Sequence, residues 1–187
     1  CLVGSEMCIR DRFYSFMSFG QITQWTDINY ANDSLEGHKL DIYLPDGGQT
    51  EYKVVVLIYG SAWFANNMKQ MAFQAMGKPL LDGGFAVVSI NHRSSGDAKF
   101  PAQINDVKAA VRFIRAHADE YRLDTSFIGI TGFSSGGHLS SLAGTTNGVK
   151  VYKVGDTEMD IEGNVGDCTS FSLSLIHISE PTRHAQI

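Results

Sequence analysis

The chain has 187 residues, 43% of them hydrophobic and 11% aromatic, and carries a net charge of −5. Such a length fits one domain with a sizeable core, and such an apolar share excludes a disordered or fibrous chain. Lysine and arginine are scattered rather than clustered, which argues against a nucleic-acid or anionic-membrane surface, and no apolar run is long enough to span a bilayer.

The first residues, Cys1 to Arg12, lead into no recognisable element, and neither do Leu173 to Arg183. Both strings resemble translated sequencing adapters. On that reading residues 13–172 are the N-terminal part of a single domain, and residues 1–12 and 173–187 are non-native ends. Of the three cysteines only Cys168 then remains, and one cysteine forms no internal disulfide, so the redox compartment is not readable. A leader peptide and the localisation it would set are equally unreadable. The triplet Asn32-Asp33-Ser34 matches a glycosylation acceptor but is too common by chance to carry weight.

From Leu40 to Leu44, apolar Leu40, Ile42 and Leu44 alternate with Asp41 and Tyr43 and end at Pro45-Asp46-Gly47-Gly48. The pattern predicts a half-exposed antiparallel strand, paired with Thr26 to Tyr30. Val54 to Tyr59 and Phe85 to Ile90 are continuous apolar runs, as in strands covered on both faces. Between them Met68 to Leu81 is helix-compatible and is closed by Asp82-Gly83-Gly84. Pro101 opens a longer helix. Its buried stripe is Ile104, Val107, Val111, Ile114, Ala118 and Tyr121, and Lys108, Arg112, Arg115, Asp119 and Arg122 are expected on the solvated face. Ser126 to Thr131 is a further β-prone run, and Gly136 to Gly144 is small and helix-compatible. Strand and helix alternate, which predicts an α/β fold with a mostly parallel sheet flanked by helices, built from repeated βαβ units.

Between the last strand and the last helix stands Gly132-Phe133-Ser134-Ser135-Gly136, a G-x-S-x-G motif. A serine nucleophile needs a hydroxyl held clear of the sheet on a tight turn, and flanking glycines remove the Cβ atoms that would clash there. Ser134 is therefore the candidate nucleophile. Tyr59-Gly60-Ser61-Ala62-Trp63 directly follows the first buried strand. A loop of small residues in that place brings backbone amides close enough to stabilise the oxyanion of acyl transfer. Other chemistries fit less well. Gly132 to Gly137 has the glycine spacing of a phosphate loop, but His138 and Leu139 stand where lysine and a hydroxyl residue belong, and no dinucleotide-binding glycine run opens a helix.

Taken together, these motifs resemble the α/β-hydrolases of the esterase/lipase group, which includes hormone-sensitive-lipase-like and bacterial feruloyl- or acetyl-esterase-like enzymes. The resemblance covers about residues 40–148. It rests on Leu40-Asp41-Ile42-Tyr43-Leu44-Pro45, the Tyr59 to Trp63 loop, Asn91-His92-Arg93, Phe100 to Val107 and Gly132 to Leu139. It implies a serine ester hydrolase working through an acyl-enzyme on Ser134. Tyr59 stands at the histidine position of the group's His-Gly-Gly-Gly loop, and Ser61 and Ala62 at its second and third glycines. The carried-over oxyanion donors are the amides of Ser61, Ala62 and Ser135. The implied substrates are short acyl or aryl esters, free or linked to plant polysaccharides, and no cofactor, metal or nucleic acid is implied.

In this fold the acid and the histidine follow the serine. Asp156, Asp160 and Asp167 come too early for the acid, and His177 and His184 lie in the adapter-like tail. His138 is expected to pack or cap on the elbow helix, and His92 to hold a loop by hydrogen bonding; neither is assigned as base. The expectation is a partial fold with its later strands missing, inactive by itself. A prolyl-oligopeptidase-type serine peptidase shares the elbow, and a non-catalytic α/β-hydrolase-like binding protein is the non-enzyme rival, one that usually lacks the serine.

Overall fold

A computed structural model describes residues 22–146. Five strands form one sheet: β1 (Thr23–Asn29), β2 (Lys39–Leu44), β3 (Tyr52–Ile58), β4 (Ala86–Ile90) and β5 (Leu123–Gly132), in the spatial order β1-β2-β4-β3-β5. β1 and β2 pair antiparallel, as do β2 and β4, whereas β3 runs parallel to both β4 and β5. A short helix α1 (Lys69–Ala72), a π turn over Phe73–Gly77 and helix α2 (Lys78–Asp82) connect β3 to β4. Helices α3 (Ala102–Ala116) and α4 (Ala118–Tyr121) connect β4 to β5, and α5 (Ser135–Thr145) follows β5. Pro101 immediately precedes α3, and Gly84, at φ 82°, lets the chain leave α2 in the left-handed region.

The two-residue period of β3 separates the core into two layers. Val54, Val56 and Ile58 face α3 and α5, where they meet Ile104, Val107, Val111, Ile114 and Leu139. Val55, Leu57 and Tyr59 face the opposite side with Ala72, Leu81 and Val87. All six are buried, which accounts for the unbroken apolar run in the sequence. Ile104, Val107, Val111 and Ile114 are buried along α3 as expected, but the single helix expected through Tyr121 breaks at His117, so Tyr121 and the half-buried Ala118 lie on α4. Lys108, Arg112 and Arg115 are half-buried rather than fully solvated. Lys108 donates from Nζ to the Thr146 carbonyl at 2.8 Å.

β2 departs from the half-exposed strand expected of its alternation, because Asp41 and Tyr43 are buried. The Tyr43 ring stacks on Phe73 of the π turn at 3.6 Å. The Asp41 carboxylate receives Lys69 Nζ at 2.8 Å and the Asp27 amide at 2.8 Å. Lys69, itself buried, also pairs with the exposed Asp27 at 2.9 Å. The second face of β2 is thus covered by α1 and the π turn, and its polar positions are matched by opposite charge rather than by water.

A second buried network joins the segment before β2 to the loop after β4. Asp106 on α3 takes Arg93 Nη2 at 2.7 Å, Arg93 Nε at 3.0 Å and the Arg93 amide at 2.9 Å. His38 lies between two carboxylates, with Nδ1 2.6 Å from Asp33 and Nε2 3.3 Å from Asp106. Burial disfavours the imidazolium, but the hydrogen bonds and charges of Asp106 and Asp33 outweigh it and raise the His38 pKa above 6.5.

Two measurements test these networks. Lys69→Ala leaves the Asp41 carboxylate buried without a cation and should cost about 3 kcal/mol in urea unfolding, while Asp27→Ala should cost about 1 kcal/mol or less. Equal losses would refute the assigned roles. A raised histidine pKa stabilises the fold fully below the unfolded-state value near 6.5, and that stability is lost as pH rises through the folded-state pKa. Stability should therefore decline with pH above that value in the wild type. It should stay flatter over the same range in His38→Gln.

Candidate active site

Parallel pairing places the ends of three strands side by side. Ile58 of β3 is opposite Ile90 of β4 and Gly132 of β5. The segments that follow, 59–66, 91–98 and 133–134, therefore emerge together at the carboxyl edge of the sheet, where α/β folds build their sites.

The G-x-S-x-G motif turns there from β5 into α5. Ser134 has φ 54° and ψ −125°, far from the region a non-glycine residue prefers. The turn is fastened by Gly136 N–H to the Phe133 carbonyl at 3.0 Å and His138 N–H to the Ser134 carbonyl at 3.1 Å. Ser134 is exposed at the tip, with its helix behind it. Glycine is a steric requirement on either side. A Cβ on Gly136 would lie 2.2 Å from the Ile58 carbonyl oxygen, and one on Gly132 would lie 2.5 Å from the same atom.

The loop after β3 packs directly on this elbow. A Cβ on Gly60 would lie 2.5 Å from the Phe133 carbonyl oxygen and 2.8 Å from Ser134 Cβ. The next residues take conformations that cost non-glycine residues energy, with Ala62 at φ 48° and Trp63 at φ 63°. Strain of this kind persists only where neighbours hold it, and the neighbours are identifiable. Ser61 N–H donates to Ser135 Oγ at 2.9 Å. Ser95 N–H donates to the Trp63 carbonyl at 2.7 Å, and Asn66 Nδ2 donates to Asp97 at 2.8 Å. Asp97 also accepts the Ser94 amide and hydroxyl at 2.8 Å each, and these bonds with Ser94 and Asn66 hold its pKa down. Gln103 of α3 donates to the Ser94 and Ala98 carbonyls, closing the brace.

Tyr59 stands where the related loop has histidine. Its hydroxyl donates to the Ala65 carbonyl at 3.0 Å, with the His92 carbonyl at 3.2 Å. Burial raises its pKa well beyond neutral pH, so the phenol stays a neutral donor.

Of the candidate residues, Ser134 and Ser135 share the elbow, Ser61 is bonded to Ser135, and Ala62 follows Ser61 in the loop packed on that elbow. Of the three expected donors, Ser61 N–H is already engaged by Ser135 Oγ, whereas the Ala62 and Ser135 amides have no acceptor among the described residues. No described histidine hydrogen bonds to Ser134 Oγ. His138, exposed one turn along α5, meets the Trp63 ring edge to face at 5.5 Å. His92 is buried, stacks on Tyr59 and donates from Nδ1 to the Arg93 carbonyl at 2.9 Å, so it holds a loop; burial lowers its pKa and keeps it neutral. Asp156, Asp160, Asp167, His177 and His184 lie outside the described residues. Among the described residues no group of histidine, cysteine and carboxylate side chains could hold a metal, and no helix is long and apolar enough to cross a membrane.

The 94–97 brace escaped the sequence reading, although Ser94-Ser95-Gly96-Asp97 carries the turn chemistry that builds such loops. The side chain of Ser135 escaped it as well, because only its amide was considered.

A strained serine on a strand-to-helix turn, with the loop after β3 packed on it at the carboxyl edge of a partly parallel sheet, defines an α/β-hydrolase of the esterase group. Residues 40–178 match the model of the BD-FAE family, and the chain belongs to that family. LipM of Mycobacterium tuberculosis (strain ATCC 25618 / H37Rv), a probable carboxylic ester hydrolase, is 40% identical over 136 residues, which are 72% of this chain and 31% of LipM. The solved structure of a bifunctional GH43-CE protein of Bacteroides eggerthii is 80% identical with a TM-score of 0.68, covering 76% of this chain and 20% of that one. A truncated carbohydrate esterase from gut microbiota is 66% identical, also with a TM-score of 0.68, covering 68% of this chain and 45% of that one. The chain therefore spans less than half the length of each of these relatives.

The Gly60 contact gives a sharp test. Gly60→Ala drives a Cβ into the elbow backbone, so the loop must withdraw from Ser134. Overpacking of this kind costs about 1–3 kcal/mol. The melting temperature should fall, and amide exchange over residues 59–66 should rise. Wild-type values for both would contradict the packing described.

Proposed function

We propose that the full-length protein carrying this chain is a serine ester hydrolase that works through an acyl-enzyme on Ser134. The observation that carries this reading is the backbone of Ser134 itself, φ 54° and ψ −125° at an exposed strand-to-helix turn, beside two amides with no described acceptor. In the reaction, Ser134 Oγ attacks the ester carbonyl and passes its proton to a base. The carbonyl oxygen becomes an oxyanion facing the Ala62 and Ser135 amides. The C–O bond to the alcohol then breaks, the alcohol leaves with the proton, and water hydrolyses the acyl-enzyme by the same steps. The start of α5 adds the positive end of its dipole where negative charge develops. The base and its orienting carboxylate belong to residues outside 22–146.

The substrates are proposed to be short acyl or aryl esters on carbohydrate. Ala62 in place of a smaller residue narrows the room for a bulky acyl chain, while exposed Trp63 and Phe133 flank the nucleophile with aromatic surface. The carbohydrate esterase at 66% identity and the GH43-CE protein at 80% identity support a saccharide-linked alcohol.

Turnover of p-nitrophenyl acetate by the full-length protein tests the reaction class. Wild-type protein should hydrolyse it, and Ser134→Ala should lose about 10⁴-fold or more in kcat. Release of acetate from acetylated xylan, compared with the unattached ester, tests the alcohol side. Undiminished turnover in Ser134→Ala would overturn the assignment.

A further inference from the structure

We infer that the Ser135 hydroxyl is a positioning residue that ties the oxyanion loop to the nucleophile's helix and so sets where the Ala62 amide points. The inference rests on the ester-hydrolase reading above and changes its donor set. The hole has two donors, the Ala62 and Ser135 amides, while Ser61 N–H serves as the tie.

The physical case begins with the loop's own conformation. Ala62 and Trp63 are consecutive non-glycine residues in the left-handed region, at φ 48° and 63°. The bond from Phe64 N–H to the Ser61 carbonyl at 2.9 Å closes a turn around them, and what fixes that turn relative to the elbow is the set of contacts at its two ends. At the downstream end the restraint is the bond from Ser95 N–H to the Trp63 carbonyl and the Asn66–Asp97 bond. At the upstream end the loop is held by the close packing of Gly60 on the elbow and by the bond from Ser61 N–H to Ser135 Oγ, 2.9 Å long and spanning 74 positions of sequence. Ser135 is 3% exposed, so its oxygen does not exchange this partner readily for water. Ser135 also directly follows the nucleophile. One residue therefore offers its amide to the oxyanion and uses its side chain to fix the opposite wall of the hole. An alanine at 135 would keep the amide and lose the tie.

The experiment uses the full-length protein with Ser135→Ala and Ser135→Thr, corrected by active-site titration with a phosphonate ester. Ser135→Ala should lower kcat for p-nitrophenyl acetate about 10- to 100-fold, as expected for a small displacement of a reacting geometry, with KM little changed. Ser135→Thr, which keeps the hydroxyl, should recover most of the loss. Amide hydrogen exchange of residues 59–64 should quicken in Ser135→Ala and return toward wild type in Ser135→Thr. A merely structural role would lower the titrated fraction or the melting temperature without moving kcat per active site. Unchanged kcat per active site in Ser135→Ala would overturn the inference, and so would a raised value, which would show that the freed Ser61 N–H is itself an oxyanion donor. Unchanged exchange would overturn it too. Absence of turnover in wild-type protein would instead refute the ester-hydrolase reading, and the exchange measurement would then decide the tie by itself.

Discussion

At the end of β3 there is no room for a side-chain carbon, and the site depends on that. Backbone meets backbone between Ile58, Tyr59 and the first turn of α5, where a Cβ on Gly136 would lie 2.2 Å from one carbonyl oxygen and 2.4 Å from another. Such closeness fixes the elbow against the sheet. Because the adjoining loop starts at Gly60, it also fixes that loop against the elbow. The Ser134 turn and the start of the adjoining loop are thereby set by main-chain packing, the least adjustable part of a fold. The tight contacts fall at Gly60, Gly132 and Gly136, and Ser61 and Ala62 fall beside them.

Around this contact the protein spends buried charge on orientation. Arg93 and Asp106 join the loop after β4 to α3, and Lys69 with Asp41 joins α1 to β2. Asn91 links the same parts, with Oδ1 accepting the Lys69 amide and Nδ2 donating to the Glu36 carbonyl. Buried pairs of this sort add little net stability compared with apolar packing, but each penalises any arrangement that separates its partners. Here the arrangement they favour is the one in which the loops after β3, β4 and β5 share an edge.

Much of this was legible in the sequence. The glycines around Ser134 and the apolar runs on either side predicted a strand, a sharp turn and a helix, and the angles at Ser134 match. The apolar stripe of α3 and the antiparallel partner of β2 were legible for the same reason, since periodicity records which face is covered. The exposure of β2 was not, because Asp41 and Tyr43 read as solvent-facing when their partners, Lys69 and Phe73, are far along the chain. Long-range polar contacts leave no local pattern. The bond from Ser61 to Ser135 and the Asn66–Asp97 brace were hidden on that account, although each lies beside a motif the sequence made obvious.

Acylation at Ser134 Oγ is the step on which the proposed reaction depends. Full-length protein treated with diethyl p-nitrophenyl phosphate should gain one diethylphosphoryl group as p-nitrophenol is released. Fragment-ion spectra of the peptide spanning β5 and α5 should place that group on Ser134, neighbouring Ser135 remaining unmodified. A stoichiometric adduct on any other residue, accompanied by loss of activity, would contradict it.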